Sequence, residues 1–237
     1  MSRGPWIVAH RGQPGAAENT LAGFRWALEI GADMVECDVR RSADGGLLTH
    51  HDPDFRGKPI QEWTFAELQD HKPIPSFEAV LQLVQDRCLM DVELKETGYE
   101  ATVLELTKRY LNPDQFIVTS FQPTSLHAIR GLDPEVRTGL LIPEPSDLGD
   151  QWIRARQLCL QCQQLGASIL APHWQHLHPT LFQLAQVSQI SLLPWTVNDP
   201  DHGRSLLQHS KVLGVITDIP ERLIASMRGF SEGVQQG

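Results

Sequence analysis

Residues 7–20 read IVAHRGQPGAAENT and contain the first change from a strand pattern to a helix pattern. Three apolar residues run directly into His10, Arg11 and Gly12, and a loop of small residues follows. Glu18-Asn19-Thr20 then opens an apolar run with helical spacing, and Asn or Thr is a favourable helix cap. This order predicts one strand–helix unit whose strand ends on a base and a cation.

The same alternation continues along the chain. The short apolar runs that we interpret as buried strands are WIVAH (6–10), MVECDV (34–39), CLMDVELK (88–95), FIVTS (116–120), VRTGLLI (136–142), SILAP (168–172), SLLPWTV (191–197) and GVITD (214–218). The amphipathic runs that we interpret as helices span 18–31, 76–86, 99–111, 123–132, 151–166, 178–188, 199–210 and 220–229.

Successive strand–helix units imply a parallel sheet, because each helical crossover returns the chain in the same direction. Eight units in 237 residues predict an α/β protein with a single (β/α)8 TIM barrel, forming one domain over residues 1–237. The alternative is an open, doubly wound sheet. Against it, the loop GQPGAAE after the first strand does not fit the glycine pattern GxGxxG.

One segment breaks the alternation. After the second strand comes RRSADGGLLTHHDP, in which Asp44-Gly45-Gly46 is a turn signal. A polar stretch over about 53–75, with Trp63 and Phe65, precedes the next helix. We interpret it as a strand extension and a short cap-like insertion on the face where barrel active sites lie.

Composition narrows the classes of partner. The net charge is −9, which argues against a nucleic-acid or anionic-membrane footprint but not against a small phosphate ester. No apolar run is long enough to span a bilayer, and the first residues do not resemble a signal peptide. Four cysteines do not suggest a disulfide framework, and Cys159 and Cys162 fit a helix. We therefore expect a cytoplasmic protein without a stable membrane anchor; its oligomeric state is not predicted.

Carboxylates cluster on two of the predicted strands. Glu36 and Asp38 share one face of the second strand, and Asp91, Glu93 and Lys95 share one face of the third. Buried acids are costly unless they are paired or bind a metal. An oxygen-rich site of this kind suits Mg²⁺ or Ca²⁺. A salt-bridge network with Lys95 and Arg40 explains the same acids equally well.

Two histidines favour a catalytic interpretation. His10 ends the first strand and His51 ends the strand extension, and histidine exchanges protons near neutral pH. Arg11 and Lys95 add positive charge suited to phosphate oxygens. Together with a divalent cation, these groups describe phosphodiester cleavage.

The ordered motifs resemble the glycerophosphodiester phosphodiesterase family. They are HRG with ENT (10–20), ECDV (36–39), SADGGLLTHHDP (42–53), ELK (93–95), WTVND (195–199) and ITDIP (216–220). The resemblance covers nearly the whole chain. The chain departs from the family at Ala17, where a proline usually precedes ENT, and in DFRGKPI after His51-Asp52-Pro53.

The resemblance implies a role for each motif. It implies a divalent cation (Mg²⁺ or Ca²⁺, with Mn²⁺ as a third candidate) held by Glu36, Asp38 and Glu93. It implies His10 and His51 as the acid–base pair, Arg11 and Lys95 as phosphate contacts, and Trp195 in the pocket wall. Glu18 and Asn19 would brace the first loop, and we interpret Thr217 and Asp218 as structural rather than catalytic.

The resulting hypothesis is hydrolysis of a small phosphodiester such as glycerophosphocholine or glycerophosphoethanolamine. The products would be glycerol 3-phosphate and an alcohol. The attacking oxygen would come from water or from the neighbouring glycerol hydroxyl. Two alternatives remain: a lysophospholipase D-type activity on lysophospholipids, and a barrel that binds phosphoesters without cleaving them.

Overall fold

The computed structural model describes residues 5–146 and 149–234, and their helices surround a barrel. The eight barrel strands are β1 (Trp6–Ala9), β2 (Met34–Arg41), β6 (Leu89–Leu94), β7 (Phe116–Ser120), β8 (Thr138–Ile142), β9 (Ile169–Pro172), β10 (Ser191–Leu192) and β11 (Gly214–Thr217). Three shorter strands are β3 (Leu47–Thr49), β4 (Asp54–Phe55) and β5 (Lys58–Pro59). The helices are α1 (Leu21–Ile30), α2 (Phe65–His71), α3 (Phe77–Val84), α4 (Glu100–Tyr110), α5 (Pro123–Leu132), α6 (Gln151–Gln164), α7 (Pro179–Val187), α8 (Pro200–Leu207) and α9 (Pro220–Val234).

The predicted barrel is confirmed, and the open-sheet alternative is wrong. The barrel strands pair in parallel in the order β10-β9-β8-β7-β6-β2-β1-β11. Backbone hydrogen bonds close the gap between the two ends: Leu213 donates to Leu192, and Ile216 donates to Pro194. Beyond Leu192 the predicted seventh strand is irregular, in part because Pro194 has no N–H to donate.

Alternating burial explains why these runs form a closed sheet covered by helices. Val8, Met34, Ile117 and Ile216 pack together in one apolar cluster within the barrel strands. Residues of opposite parity on the same strands, such as Val35 and Val118, pack in a separate cluster with α3 and α4. Burial on both faces is what makes the strands near-continuous apolar runs.

The insertion has a small core of its own. β3 pairs antiparallel with β2, and β4 pairs with β5 in a separate ribbon. Leu48, Ile60, Leu68 and Ile74 form a buried cluster beneath α2. The apolar residues of this polar stretch are therefore spaced so that one side is buried, which a search for continuous apolar runs does not detect.

The first loop, between β1 and α1, is fixed by a helix cap at Thr20 and by a close backbone contact at Gly12. Thr20 caps α1 by accepting a hydrogen bond from the Gly23 N–H, and Gly31 ends the helix in the left-handed conformation. Gly12 has a positive φ of 79°, and a Cβ there would lie 2.8 Å from the Gly23 backbone. The turn after His10-Arg11 therefore requires glycine.

The helices and the cysteines bear on the predictions about membrane insertion and disulfides. None of the helices within 5–146 and 149–234 is both long and apolar enough to cross a bilayer. All four cysteines are free thiols, and Cys159 and Cys162 lie buried on α6 as the helical interpretation predicted.

Candidate active site

The parallel register of β2 and β6 brings the predicted metal ligands together. Asp38 pairs with Glu93 across the two strands, and Glu36 lies one inward-facing position earlier on β2. One carboxylate oxygen from each of these three residues lies within 4.8 Å of the others. All three side chains are buried, and Glu36 Oε1 has no hydrogen-bond partner. A cation would satisfy this oxygen, which is the donor type that Mg²⁺ and Ca²⁺ prefer.

The electrostatics of the cluster show how crowded these acids are. Burial raises the pKa of Glu36 well above its usual range, and the Asp38 and Glu93 charges add to the rise. Burial and the Asp38 charge likewise raise the pKa of Glu93 to about 7. For Asp38, burial opposes ionisation, but Lys95 and Arg11 outweigh it and lower the pKa. The protein itself supplies too little positive charge for the whole cluster.

The two predicted phosphate contacts lie against the acids. Lys95 Nζ is 2.6 Å from Glu93 and 3.2 Å from Asp38. Arg11 Nε is 3.2 Å from Asp38, and its Nη1 donates to Glu18 at 3.1 Å. The salt-bridge hypothesis is therefore correct for Lys95. It is wrong for Arg40, whose acidic partner is Glu96 at 2.9 Å, because the long side chain extends past the cluster.

His10 is held by a chain of polar groups from the segments that follow the last two barrel strands. Its Nδ1 lies 2.7 Å from Asp218 Oδ1, and its Nε2 lies 3.9 Å from Glu36. Asn198 donates from Nδ2 to the other oxygen of Asp218 at 2.7 Å and accepts from the Asp218 N–H at 2.9 Å. Burial raises the pKa of Asp218, but the hydrogen bonds from His10 and Asn198 prevail and lower it. An ionised carboxylate only accepts, so this contact places a proton on Nδ1 and leaves Nε2 facing the acids.

His51 is held more loosely. Its Nδ1 lies 2.8 Å from Asp52 Oδ1, while 40% of the His51 side chain and 70% of the Asp52 side chain are exposed. Burial lowers the pKa of His51, although Asp38 and Asp52 act in the opposite direction. The neighbouring His50 packs edge-on against Phe55 in the insertion, and the cavity lining contains His51 rather than His50.

One cavity, with about 420 Å³ of empty space, joins these groups. Its lining includes seven of the eight predicted site residues: His10, Arg11, Glu36, His51, Glu93, Lys95 and Trp195. The eighth, Asp38, lies behind Lys95 and Arg11 within the acidic cluster. Phe121 packs edge-on against Trp195 at 5.5 Å between ring centroids. The cavity thus has a charged side suited to phosphate and an aromatic side.

The first loop is braced as the sequence predicted. Asn19 donates from Nδ2 to Asp38 at 2.7 Å and accepts from the Asp38 N–H at 3.2 Å. The Arg11 N–H donates to Glu36 at 2.9 Å. Both Arg11 and Asn19 have φ near 54°, a conformation that costs energy outside glycine. These contacts with the acids compensate for that cost and tie the loop to the acidic cluster.

Sequence reasoning missed two groups that contact the site. Asp218 was interpreted as structural rather than catalytic, and the structure shows that it contacts the His10 ring. The sequence signal for this contact is the position of Asp218 directly after β11, which pairs with β1. The second is Asp91, which lines the cavity and accepts a hydrogen bond from Thr119 at 2.7 Å. Its parity with Glu93 was noted in the sequence, but no role was assigned.

The comparisons with known proteins identify the family. The model of the Glycerophosphoryl diester phosphodiesterase family matches residues 10–222. This chain belongs to that family. A glycerophosphodiester phosphodiesterase of Caldanaerobacter subterraneus subsp. tengcongensis is 29% identical over 246 residues, covering 94% of this chain and 97% of the relative. As a member of the glycerophosphoryl diester phosphodiesterase family, the protein is an enzyme of the phosphodiester hydrolase class.

Solved structures of similar proteins share the barrel. A glycerophosphodiester phosphodiesterase from Thermotoga maritima has a TM-score of 0.78 at 26% identity, covering 95% of this chain and 99% of that chain. An Oleispira antarctica phosphodiesterase, solved in complex with the product sn-glycerol-3-phosphate, has a TM-score of 0.80 at 24% identity, covering 94% and 97%. The second likeness is evidence for the fold alone.

Proposed function

We propose that this enzyme hydrolyses small glycerophosphodiesters, such as glycerophosphocholine or glycerophosphoethanolamine, to glycerol 3-phosphate and an alcohol. The observation that carries the proposal is a cavity lined by two histidines, three carboxylates, an arginine and a lysine. Glycerol 3-phosphate is also the product bound in the Oleispira antarctica phosphodiesterase. Membership of the family indicates the reaction class. The cavity contains acid–base groups, cationic groups that suit a phosphate, and carboxylates that suit a divalent cation.

A divalent cation fits the cluster of Glu36, Asp38 and Glu93. The fit rests on the unpartnered Glu36 Oε1 and on the excess of buried acids over the two neighbouring cations, Arg11 and Lys95. When bound, the cation would neutralise phosphate charge and polarise a P–O bond. These carboxylates are hard oxygen donors, so Mg²⁺, Ca²⁺ and Mn²⁺ are the cations to test.

The two histidines move the protons. Asp218 and Asp52 each accept from an Nδ1–H, so Nε2 is the free nitrogen of both rings. One Nε2 accepts a proton from the attacking oxygen, and the other ring, once protonated, gives a proton to the leaving alcohol oxygen. The carboxylate behind each ring stabilises the imidazolium that forms.

The remaining groups bind and orient the phosphate. Arg11 presents a fork of N–H donors and Lys95 a compact ammonium group, and both line the cavity. The partly buried Trp195 donates from its ring N–H to the Ala171 carbonyl at 2.8 Å, which fixes the ring in the wall. The attacking oxygen comes from water or from the neighbouring glycerol hydroxyl; a cyclic phosphate detected during turnover would identify the second route.

The test is hydrolysis of glycerophosphocholine by chelator-treated protein after separate addition of Mg²⁺, Ca²⁺ or Mn²⁺. We expect one or more cations to restore release of free glycerol 3-phosphate. Lysophosphatidylcholine should be the poorer substrate. Cleavage of lysophosphatidylcholine alone would favour the lipid-directed alternative, and cleavage of neither substrate would favour a binding protein.

A further inference from the structure

Arg40 contacts the polypeptide at the residue that carries the second proposed acid–base group. It follows Glu36 and Asp38 at the same parity on β2, and only 6% of its surface is exposed. Its guanidinium donates twice to the His51 carbonyl, from Nε at 3.0 Å and from Nη2 at 2.6 Å. The third contact, from Nη1 to Glu96, is 2.9 Å long. Neither Arg40 nor Glu96 is among the residues that line the cavity.

Regular strand pairing ends just before His51. The last paired residue of β3 is Thr49, opposite Val39, and the final ladder-like bond runs from the His50 N–H to the Asp38 carbonyl at 2.9 Å. From His51 the chain bends into the insertion. The side chain of His51 is partly exposed. Within the described residues, its one side-chain hydrogen bond is to Asp52, which is itself exposed. Its position is therefore set mainly through its backbone, and Arg40 is what contacts that backbone.

Glu96 gives Arg40 a fixed support. Its N–H donates to the Tyr99 hydroxyl at 3.1 Å, and its carbonyl accepts from the Ser125 hydroxyl at 3.1 Å. The Tyr99 hydroxyl in turn donates to the Val39 carbonyl at 2.7 Å, beside Arg40 on β2. The pair thus connects the ends of β2 and β6, the two strands that carry all three proposed cation ligands.

We propose that the buried Arg40–Glu96 pair is a positioning device that fixes the distance between His51 and the acidic cluster. The proposal rests on the proposed role of His51. Arginine suits this task because its planar fork gives two N–H groups to one carbonyl and a third to a carboxylate, a geometry that lysine cannot reproduce. A displacement of about 1 Å at a reacting group costs up to roughly 100-fold in rate.

The test is a double-mutant cycle of Arg40→Lys with His51→Ala, measured as kcat and KM for glycerophosphocholine. Arg40→Lys keeps the charge beside Glu96 and loses the fork. We expect kcat to fall roughly 10- to 100-fold with little change in KM. In the His51→Ala background the same substitution should have no further effect, because the group that it positions is gone. A purely structural role for Arg40 would lower activity equally in both backgrounds.

Arg41→Lys is the matched control. Arg41 is the next residue on β2, and its Nη1 donates to the Gly98 carbonyl at 3.0 Å on the surface. This variant should retain wild-type kcat. Calorimetry with Mn²⁺ alone should give the same affinity for Arg40→Lys as for the wild type, which separates an effect on His51 from one on the carboxylates.

Each outcome is decisive. Wild-type kcat in Arg40→Lys, or an equal loss in both backgrounds, overturns the proposal. Wild-type turnover in His51→Ala alone overturns the proposed role of His51, a result that does not involve Arg40. If Arg40→Lys lacks a cooperative thermal transition, Glu96→Gln takes its place in the cycle. Glu96→Gln keeps the Arg40 hydrogen bonds to the His51 carbonyl but weakens the ion pair that supports Arg40. We expect a smaller fall in kcat than for Arg40→Lys, and no further fall in the His51→Ala background.

Discussion

Asp91 offers a stability test of the electrostatics within the site. It lies on β6 with no exposed surface, accepts one hydrogen bond from Thr119, and leaves Oδ2 without a partner. Burial raises its pKa from 3.8 to about 8, and the charges of Glu93 and Asp38 add to the rise against the Thr119 hydrogen bond. In the cation-free protein, Asp91 should therefore remain protonated at neutral pH.

The sign and size of the effect follow from the two pKa values. The unfolded chain loses the Asp91 proton near pH 4, whereas the folded chain keeps it until about pH 8. Raising the pH between these values therefore favours the unfolded state. The free energy of unfolding falls by about 1.4 kcal/mol for each pH unit, or about 4 kcal/mol from pH 5 to pH 8. No further loss from this group is expected above about pH 8.

Asp91→Asn removes the titration and keeps the oxygen that accepts from Thr119. The free energy of unfolding of both proteins can be measured with urea and a chelator from pH 5 to pH 9. Over this range the value for the variant should rise by about 4 kcal/mol relative to that for the wild type. The amide nitrogen that replaces Oδ2 adds a cost that does not change with pH. Asp70→Asn, at an exposed position on α2, is the control and should follow the wild-type profile. A difference between Asp91→Asn and wild type that stays constant across this range would show that Asp91 does not titrate in the folded protein between pH 5 and pH 9.

Three further predictions concern the site. His10→Ala and His51→Ala should each lower kcat for glycerophosphocholine by about two to four orders of magnitude, the usual scale for acid–base groups, and near-wild-type turnover would exclude the altered residue. Glu36→Gln should weaken Mn²⁺ binding in calorimetry, because it removes a charged ligand; unchanged affinity would place the cation elsewhere. Asp218→Asn should lower kcat more than it changes KM, since the amide group does not enforce a proton on His10 Nδ1, and an equal effect on both constants would contradict this positioning role.

The barrel could be predicted because its signals are local and repeated. Each strand is a short apolar run, each helix has one apolar face, and a parallel sheet follows from their alternation. The interior of the insertion was not predicted. Ile60, Leu68 and Ile74 are separated by polar residues, so their burial depends on the cluster that they form with Leu48. Contacts of this kind between distant residues leave no periodic pattern in the sequence.

The site was predictable where residues share a strand, and less so where they meet across the barrel. Parity alone placed Glu36 with Asp38 and Asp91 with Glu93. The contact of His10 with Asp218 joins residues 208 positions apart, and it exists because β11 closes the barrel against β1. One of the two interpretations of the acids paired Arg40 with the cluster, but the length of its side chain carries the guanidinium to Glu96. Side-chain reach of this kind has no signature in the spacing.

We propose that the carboxylates of β2 and β6 hold a divalent cation on which glycerophosphodiester cleavage depends. The most direct measurement is the anomalous X-ray scattering of Mn²⁺ in crystals of the active protein. We expect a Mn²⁺ peak in contact with Glu36, Asp38 and Glu93 that is lost after chelation together with turnover. A Mn²⁺-dependent enzyme whose anomalous peak lies away from these carboxylates would contradict it.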